Sequence, residues 1–336
     1  MHRRLNRRGI ILGGAAMALG AGSARLPQAK AQGLTKLKVM MFPGLTMFPM
    51  FVGEHKGLFA KHGISVEVLR APNSKIQREG LAKGDHQIIH TAADNPVAMV
   101  ELAKSDAVIV MGGDHGFNYI FAQPEIRTLA DLRGKTVVVD APNTAFALLL
   151  YKALMTAGLK KGDYQVKPVG GTTQRFKAMT TDKANAAAGI IGLPFSFRAE
   201  AVGLKNMGEA SKSIGAYQSD CMVVMRPWAK ANSEVLIRYV KANVEARRWI
   251  LDSTNKAEAI QVLVERLKLT PEIAAKSYAI VADPKEGITK DAKFDMEGFK
   301  NVLKLRAEIE GQWGGKPPAP DKYIDLSYYN KAMAGL

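Results

Sequence analysis

Residues 129 to 159, LADLRGKTVVVDAPNTAFALLLYKALMTAGL, decide the fold. They read as a lead-in turn, a strand over Thr136 to Val139, a loop at Asp140 to Asn143 and a helix opening near Thr144. A β-branched apolar run bounded by Gly134 and Pro142 suits a strand buried on both faces, and the apolar residues behind it recur over several helical turns. In open α/β sheets such strand-to-helix crossings line the ligand crevice, because the strand's carboxyl end and the helix's unpaired N–H groups point to the same side. Asn143 or Thr144 can cap the helix, and the same backbone donors could instead hold a ligand oxygen.

Outward from this stretch, 336 residues exceed one typical core and suggest two lobes. A hydrophobic share of 47% with 23% charged residues is that of a globular protein and excludes disorder. The formal charge is +16, to which residues 1 to 32 contribute six Lys/Arg and no acid. The remaining surplus is scattered, with no long run of like charge and no basic-aromatic stripe. This argues against nucleic-acid binding and leaves attraction of small anions or of an anionic membrane face. Residues 1 to 32 read as an export signal, with a basic start, an apolar stretch from Gly9 to Ala24 too short to span a bilayer, and Ala29-Lys30-Ala31 as the cleavage site. Arg7-Arg8 followed by Gly9 resembles a twin-arginine signal. Cleavage near Ala31 has no cysteine beside it for a lipid anchor, so the expected location is the free periplasm. Cys221 has no partner for an internal disulfide and is expected as buried packing.

Taken in order, LTKLKVMMF (34–42) reads as a strand, and the stretch from Met47 to Gly63 as one helix ended by a glycine C-cap. Strands over Ile64 to Leu69, His86 to Ala92 and Asp106 to Gly113 follow, alternating with helices over Ser74 to Lys83 and Pro96 to Lys104. NYIFAQPEI (118–126) reads as an extended linker into the central stretch. The pattern then repeats through Tyr164 to Val169, a helix from Thr172 to Thr181 behind Gly170-Gly171, a strand over Ala186 to Gly192, and a loop at Leu193-Pro194-Phe195 entering another helix. AYQSDCMVVM (216–225) is a second extended segment carrying the chain back. Helices over Ser233 to Leu251, Lys256 to Leu267, Pro271 to Val281 and Phe294 to Ile309 come next, and a tail pinned by Tyr323, Tyr328 and Tyr329 ends the chain. The expected fold class is α/β: two doubly wound lobes joined by a two-segment hinge. Residues 33–122 and 225–336 form lobe 1 and 123–224 form lobe 2, bending at Asn118 to Pro124 and Ala216 to Met225 around a trapped solute.

FVGEHKGLFAKHGISVEVL (51–69), HTAADNPVAMVELAKSDA (90–107) and LADLRGKTVVV (129–139) occur in the order found in periplasmic solute-binding proteins of nitrate, sulfonate and taurine uptake systems, and the chain resembles that family over most of its length. The resemblance implies a type II periplasmic binding protein-like fold and, as partners, a small-molecule ligand and an ABC permease in the inner membrane. A monomer with no cofactor is expected, and the export signal, which removes the chain from cytoplasmic cofactors, argues against catalysis. The same family shares its fold with enzymes making a thiamine pyrimidine precursor, so a pyrimidine-precursor binding protein or enzyme is the alternative. A ligand-sensing partner of a membrane kinase is a third.

The residues themselves carry none of the GxSxG, Walker, HExxH, CxxC or GxGxxG motifs. His86 and His90 fall on a strand, where four residues span roughly 13 Å, too far for one metal ion. His55 and His62 flank a helix end and read as surface residues. What remains is a set of loops at strand carboxyl ends. Thr46, Phe48, Asp94, Asn95, His115 and Asn118 come from the first lobe. Asn143, Thr144, Phe146, Pro194 and Phe195 face them, with Ser219 and Asp220 on the return segment. Polar groups among aromatic walls suit a small organic ligand. Asn143 and Thr144 would receive a sulfonate, carboxylate or nitrate-like anion, and Phe48, Phe146 and Phe195 would pack its skeleton. Asp94 and Asp220, which would repel an oxyanion, would accept from hydroxyls or amines.

Overall fold

The computed structural model describes residues 33–284 and 287–336, so the export-signal reading of residues 1 to 32 lies outside the described residues. The first half runs through β1 (Thr35–Met41), α1 (Phe48–His55), α2 (Leu58–Lys61), β2 (Ile64–Arg70), α3 (Ser74–Lys83), β3 (Ile88–Ala92), α4 (Asp94–Glu101) and β4 (Ala107–Met111). The chain then crosses to β5 (Asn118–Ala122), β6 (Thr136–Val139), α5 (Ala145–Thr156), β7 (Gln165–Pro168), α6 (Thr172–Thr181), β8 (Ala188–Gly192), α7 (Phe195–Ala201) and β9 (Lys205–Glu209). It returns as β10 (Asp220–Met225) and closes with α8 (Arg226–Ala231), α9 (Ser233–Leu251), α10 (Lys256–Leu267), α11 (Pro271–Val281), α12 (Met296–Glu310) and α13 (Ser327–Met333).

The strands form two five-stranded sheets, ordered β2-β1-β3-β10-β4 and β7-β6-β8-β5-β9. In the first, β1 pairs in parallel with β2 and β3, while β10 runs antiparallel to β3 and β4. In the second, β6 is parallel to β7 and β8, while β5 is antiparallel to β8 and β9. Each crossing thus delivers its strand into the sheet it has just reached, as that sheet's antiparallel member. The stretches read as extended connectors over 118–126 and 216–225 become β5 of the second sheet and β10 of the first. The bends themselves fall between β4 and β5 and between β9 and β10.

Packing follows the sheets' faces. One face of the first sheet carries the apolar cluster of α1 and α9, outside which α10 and α11 pack, with Val39, Phe48, Met50, Leu236, Tyr239 and Val240 fully buried. One face of the second is covered by α6 and α7 over Phe121, Val138, Met179 and Ile191. The remaining faces share a third apolar cluster that runs from Ile89 and Val97 through Val137, Leu148 and Ile190 to Phe299 and Val302 of α12. Helix α12, expected to stay with the first lobe, therefore lies against α4 and α5 alike.

Two further local expectations change. The helix read from Met47 to Gly63 is broken into α1 and α2 at Gly57, whose φ of +65° only glycine adopts without strain. Helix α4 begins at Asp94 and not at Pro96, which moves Asp94 from a loop into a buried first turn. The tail keeps its aromatic pins. Tyr323 is fully buried with its hydroxyl on Glu101 Oε1 (2.6 Å), its carbonyl accepts from Ile109 N of β4 (2.9 Å), and the Tyr329 hydroxyl donates to Asp291 O (2.9 Å). The edge of the first sheet is covered in this way.

Candidate functional site

The carboxyl ends of the parallel strands in both sheets converge on one cleft with a cavity of about 70 Å³. A single water needs roughly 10–15 Å³ by the same measure, so the space suits a small solute. The loop after β1 supplies Phe42, Gly44 and Thr46, and the end of β3 supplies His90, Thr91 and, one helical turn on, Asn95. Phe117 and Asn118 come from the first crossing, Ser219 and Asp220 from the second. From the second sheet come Asp140 behind β6, Thr144 and Phe146 at the start of α5, Thr172 and Arg175 of α6, and Leu193 after β8.

The lobes touch directly around this cavity. Ser74 N, at the start of α3, donates to Asp140 Oδ2 at 3.1 Å. Gly171 N donates to Pro72 O at 3.1 Å, and Leu45 N to Leu193 O at 3.3 Å. The last approach needs Gly44, since a Cβ there would stand 3.0 Å from Leu193 O. Three hydrogen bonds spanning the cleft describe a closed state.

Of the residues expected at the site, Thr46, Asn95, Asn118, Thr144, Phe146, Ser219 and Asp220 line the cavity together. The others stand elsewhere. Phe48 is fully buried in the first lobe's core, because α1 turns that position toward the sheet. Asp94 accepts with both carboxylate oxygens from Arg306 of α12, at 2.7 Å from Nε and 2.6 Å from Nη2, and does not line the cavity. Asn143 joins that pair, its Oδ1 accepting from Arg306 Nη2 (2.7 Å) and its Nδ2 donating to Glu310 (3.1 Å), which turns it out of the cleft. His115 lies 3.8 Å from Asp295 on the hinge surface. Pro194 follows a cis peptide bond, and Phe195 packs on Phe176 and under Arg198. Thr144 occupies the N-cap position of α5, but its hydroxyl donates back to Ala141 O (2.9 Å) and leaves the first-turn N–H groups uncapped by its own side chain.

Two charged groups of the cavity, Asp140 and Arg175, were not among the residues expected there, whereas Asp220 was. Arg175, 2% exposed, is held by neutral acceptors: Ile190 O (2.7 Å), Gly170 O (2.9 Å) and Thr172 Oγ1 (3.1 Å). Burial lowers its pKa to about 10, against the pull of Asp140. A signal for it existed. An arginine three residues into a helix opened by Gly-Gly-Thr points back along the axis toward the helix start, and so toward the strand ends. His86 is buried against Gln77 O (3.0 Å), with burial lowering its pKa, while His90 contacts the Tyr239 hydroxyl (2.9 Å).

Behind the first-lobe wall, Asp114 and Asp220 come from the two crossings and face Arg247 of α9. Asp114 Oδ1 accepts from Gly116 N (2.9 Å), and Ser219 N donates to Asp114 O (3.1 Å). Arg247 donates to Gly113 O (2.8 Å) and Asn243 Oδ1 (2.9 Å), anchoring the outgoing crossing. Burial, and then the neighbouring Asp220, push the Asp114 carboxyl up to about 7. Cys221 is buried, with Sγ on Thr91 O (3.3 Å), and burial raises its thiol well above the usual range.

Two doubly wound lobes, joined by two crossings and shut over a cavity at their strand ends, are the architecture of a periplasmic binding protein of type II topology. The chain belongs to the NMT1-like family, whose model matches residues 30–264. A Brucella abortus protein provisionally named a binding protein is 31% identical over 144 residues, which span 42% of this chain and 44% of that one. In three dimensions the chain is similar to a Bordetella bronchiseptica protein (TM-score 0.75, 17% identity, 90% of this chain and 98% of that one). It is also similar to the periplasmic nitrate-binding protein NrtA of Synechocystis PCC 6803 (TM-score 0.73, 16% identity, covering 90% and 89%). The alkanesulfonate-binding protein SsuA of Xanthomonas axonopodis, bound to MOPS, has a TM-score of 0.69 at 16% identity, covering 90% and 99%.

Proposed function

We propose that this protein is the periplasmic solute-binding subunit of an ABC uptake system, which captures a small organic solute between its lobes and delivers it to an inner-membrane permease. The observation that carries this is the cavity shut by hydrogen bonds from Ser74 N to Asp140, Gly171 N to Pro72 O and Leu45 N to Leu193 O, with lining residues from both lobes. A cleft that closes on a solute traps it, and reopening releases it at the transporter. The nitrate- and sulfonate-binding proteins with the same fold make an anionic group on the solute the first candidate. It has a place on the second-lobe side, where Arg175 and the first-turn N–H groups of α5 and α6 gather. Phe42, Phe117 and Phe146 would pack the carbon skeleton.

The test is a thermal-shift screen of the exported protein against nitrate, sulfonates, carboxylates and pyrimidines. A ligand at a hundred times its dissociation constant stabilises by about 2.7 kcal/mol. A hit whose binding weakens in Thr144→Ala, with the unliganded melting temperature unchanged, supports the cleft as its site. A screen without any stabilising compound, together with scattering curves unaltered by every compound, would remove the proposal.

A further inference from the structure

Two residues of the first-lobe wall hold acceptor atoms that no donor among the described residues reaches. Asn95 is 2% exposed and gives its Nδ2 to Thr91 Oγ1 (2.7 Å), while its Oδ1 has no partner. Asp220 is 4% exposed, and its Oδ2 accepts no hydrogen bond. The nearest ring nitrogen, His90 Nδ1, stands 3.5 Å away and is itself unpartnered. His90 Nε2 stands 2.9 Å from the Tyr239 hydroxyl, which also lies 3.1 Å from Met50 Sδ. Asn95 Oδ1 and Asp220 Oδ2 are thus buried acceptors on two residues that line the same cavity. An unpaired buried acceptor costs a few kcal/mol, and an unpaired carboxylate costs more.

The charges point the same way. In the cavity, Arg175 is set against Asp140. Behind it, Arg247 faces two carboxyl groups, Asp114 and Asp220. Burial, and then the neighbouring Asp220, hold the Asp114 carboxyl up at about 7, so further negative charge beside this pair is disfavoured. A bare oxyanion such as nitrate would add like charge and supply no hydrogen to Asn95 or Asp220.

We propose that the solute carries a protonated nitrogen whose N–H groups are taken by Asp220 Oδ2 and Asn95 Oδ1, so that the cleft selects small ammonium- or amidinium-bearing molecules, with or without a distant anionic group. This rests on the reading of the cleft as a solute trap and goes beyond it by fixing what the first lobe recognises. The geometry makes Asp220 and Asn95 specificity residues and leaves Arg175 for any anionic end.

The experiment measures calorimetric binding and thermal shifts with matched pairs. Ethanolamine, acetamidine, β-alanine and taurine are each compared with the counterpart lacking the charged nitrogen: ethylene glycol, acetamide, propionate and ethanesulfonate. In the native protein, at least one nitrogen-bearing member should bind at least tenfold more tightly than its counterpart. Asp220→Asn should lower that ratio toward one by weakening the nitrogen-bearing member, and Asn95→Leu should lower it as well. Because the readout is a ratio within one variant, a general loss of stability does not imitate the effect, and the second variant decides if the first fails to fold. Counterparts that bind as tightly as their partners would overturn this inference and leave the solute-trap reading intact. No binding by any of the eight overturns it too, and the wider screen then judges the solute-trap reading separately. A ratio unchanged in both variants would likewise exclude Asp220 and Asn95 as the nitrogen's partners.

Discussion

Asp94 and Asn95 are neighbours in the chain and opposite in role, and the reason is helical phase. One residue of α-helix turns the side chain by about 100°. Asp94 therefore meets Arg306, and Asn95 meets the cavity. The sequence marked both as polar residues behind a strand, but phase depends on where α4 begins, which Pro96 misplaced by two residues. The same uncertainty put Phe48 in the site when it belongs to the core. The Asp94–Arg306 pair is fully buried, so removing one partner strands a charge, a loss of about 3–5 kcal/mol. Asp94→Ala should accordingly lower the urea midpoint sharply, whereas Asn95→Leu, which strands no charge, should lower it far less. Equal midpoints for the two variants would refute the assignment.

A second residue-level expectation concerns pH. The folded state holds a proton on Asp114 up to about 7, against an ordinary value of 3.8. Between these values the native state binds more protons than the unfolded chain, so this group's contribution is complete below the ordinary value and is lost as pH rises through about 7. Denaturant titrations across that window should show the native protein losing stability with rising pH, on the order of a few kcal/mol at most. Asp114→Asn, which keeps the shape and cannot ionise, should flatten that slope.

At the scale of elements, alternation and turn chemistry made most of the sheet legible. The strand over Thr136 to Val139 falls where its β-branched run ends, and the parallel β1, β2 and β3 follow from helices interleaved between them. The segments over 118–126 and 216–225 were legible as extended but not as sheet members, since a lone extended run carries no record of its partner. Helix α12 was legible as a helix but not as a bridge, because its two apolar contacts are with elements far away in sequence. Arg306, Glu308 and Glu310 along it reach Asp94, Lys152 and Asn143, tying both lobes to one rod. Helix α3 offers a simpler test. Asn73 Oδ1 accepts from Ile76 N (2.8 Å), and the next residue's N–H is the one that meets Asp140 across the cleft. Asn73→Ala should cost about 1 kcal/mol in stability. It should also weaken solute binding, because a frayed first turn no longer presents the Ser74 N–H. A variant with the stability loss and native affinity would separate the cap from the closure.

For the whole molecule, closure sets a carboxylate and two backbone contacts against a shared apolar seam under the hinge. Those three hydrogen bonds are few, and each contributes only about 0.5–1.5 kcal/mol net, so the closed and open states of the free protein should lie close in energy. The contact through Asp140 is charge-assisted and uses the N-terminus of α3, which makes it the strongest of the three. Removing it should favour the open state by a kcal/mol or two, on the order of a tenfold change in the ratio of populations. Spin labels at Ile76→Cys on α3 and Thr173→Cys on α6 stand on opposite lobes at exposed positions, and the native Cys221 is buried beyond labelling. The labelled protein should give a distance distribution with a short, closed component that Asp140→Ala depletes without added solute. Gly44→Ala should deplete it for a different reason, since its new Cβ meets Leu193 O while leaving every charge in place. If both variants keep the native distribution, the lobes are held by α12 and the apolar seam, and the contacts at the cleft do not set the closed state. If only the Asp140 variant opens, the charge governs and the backbone approach at Gly44 tolerates a methyl group.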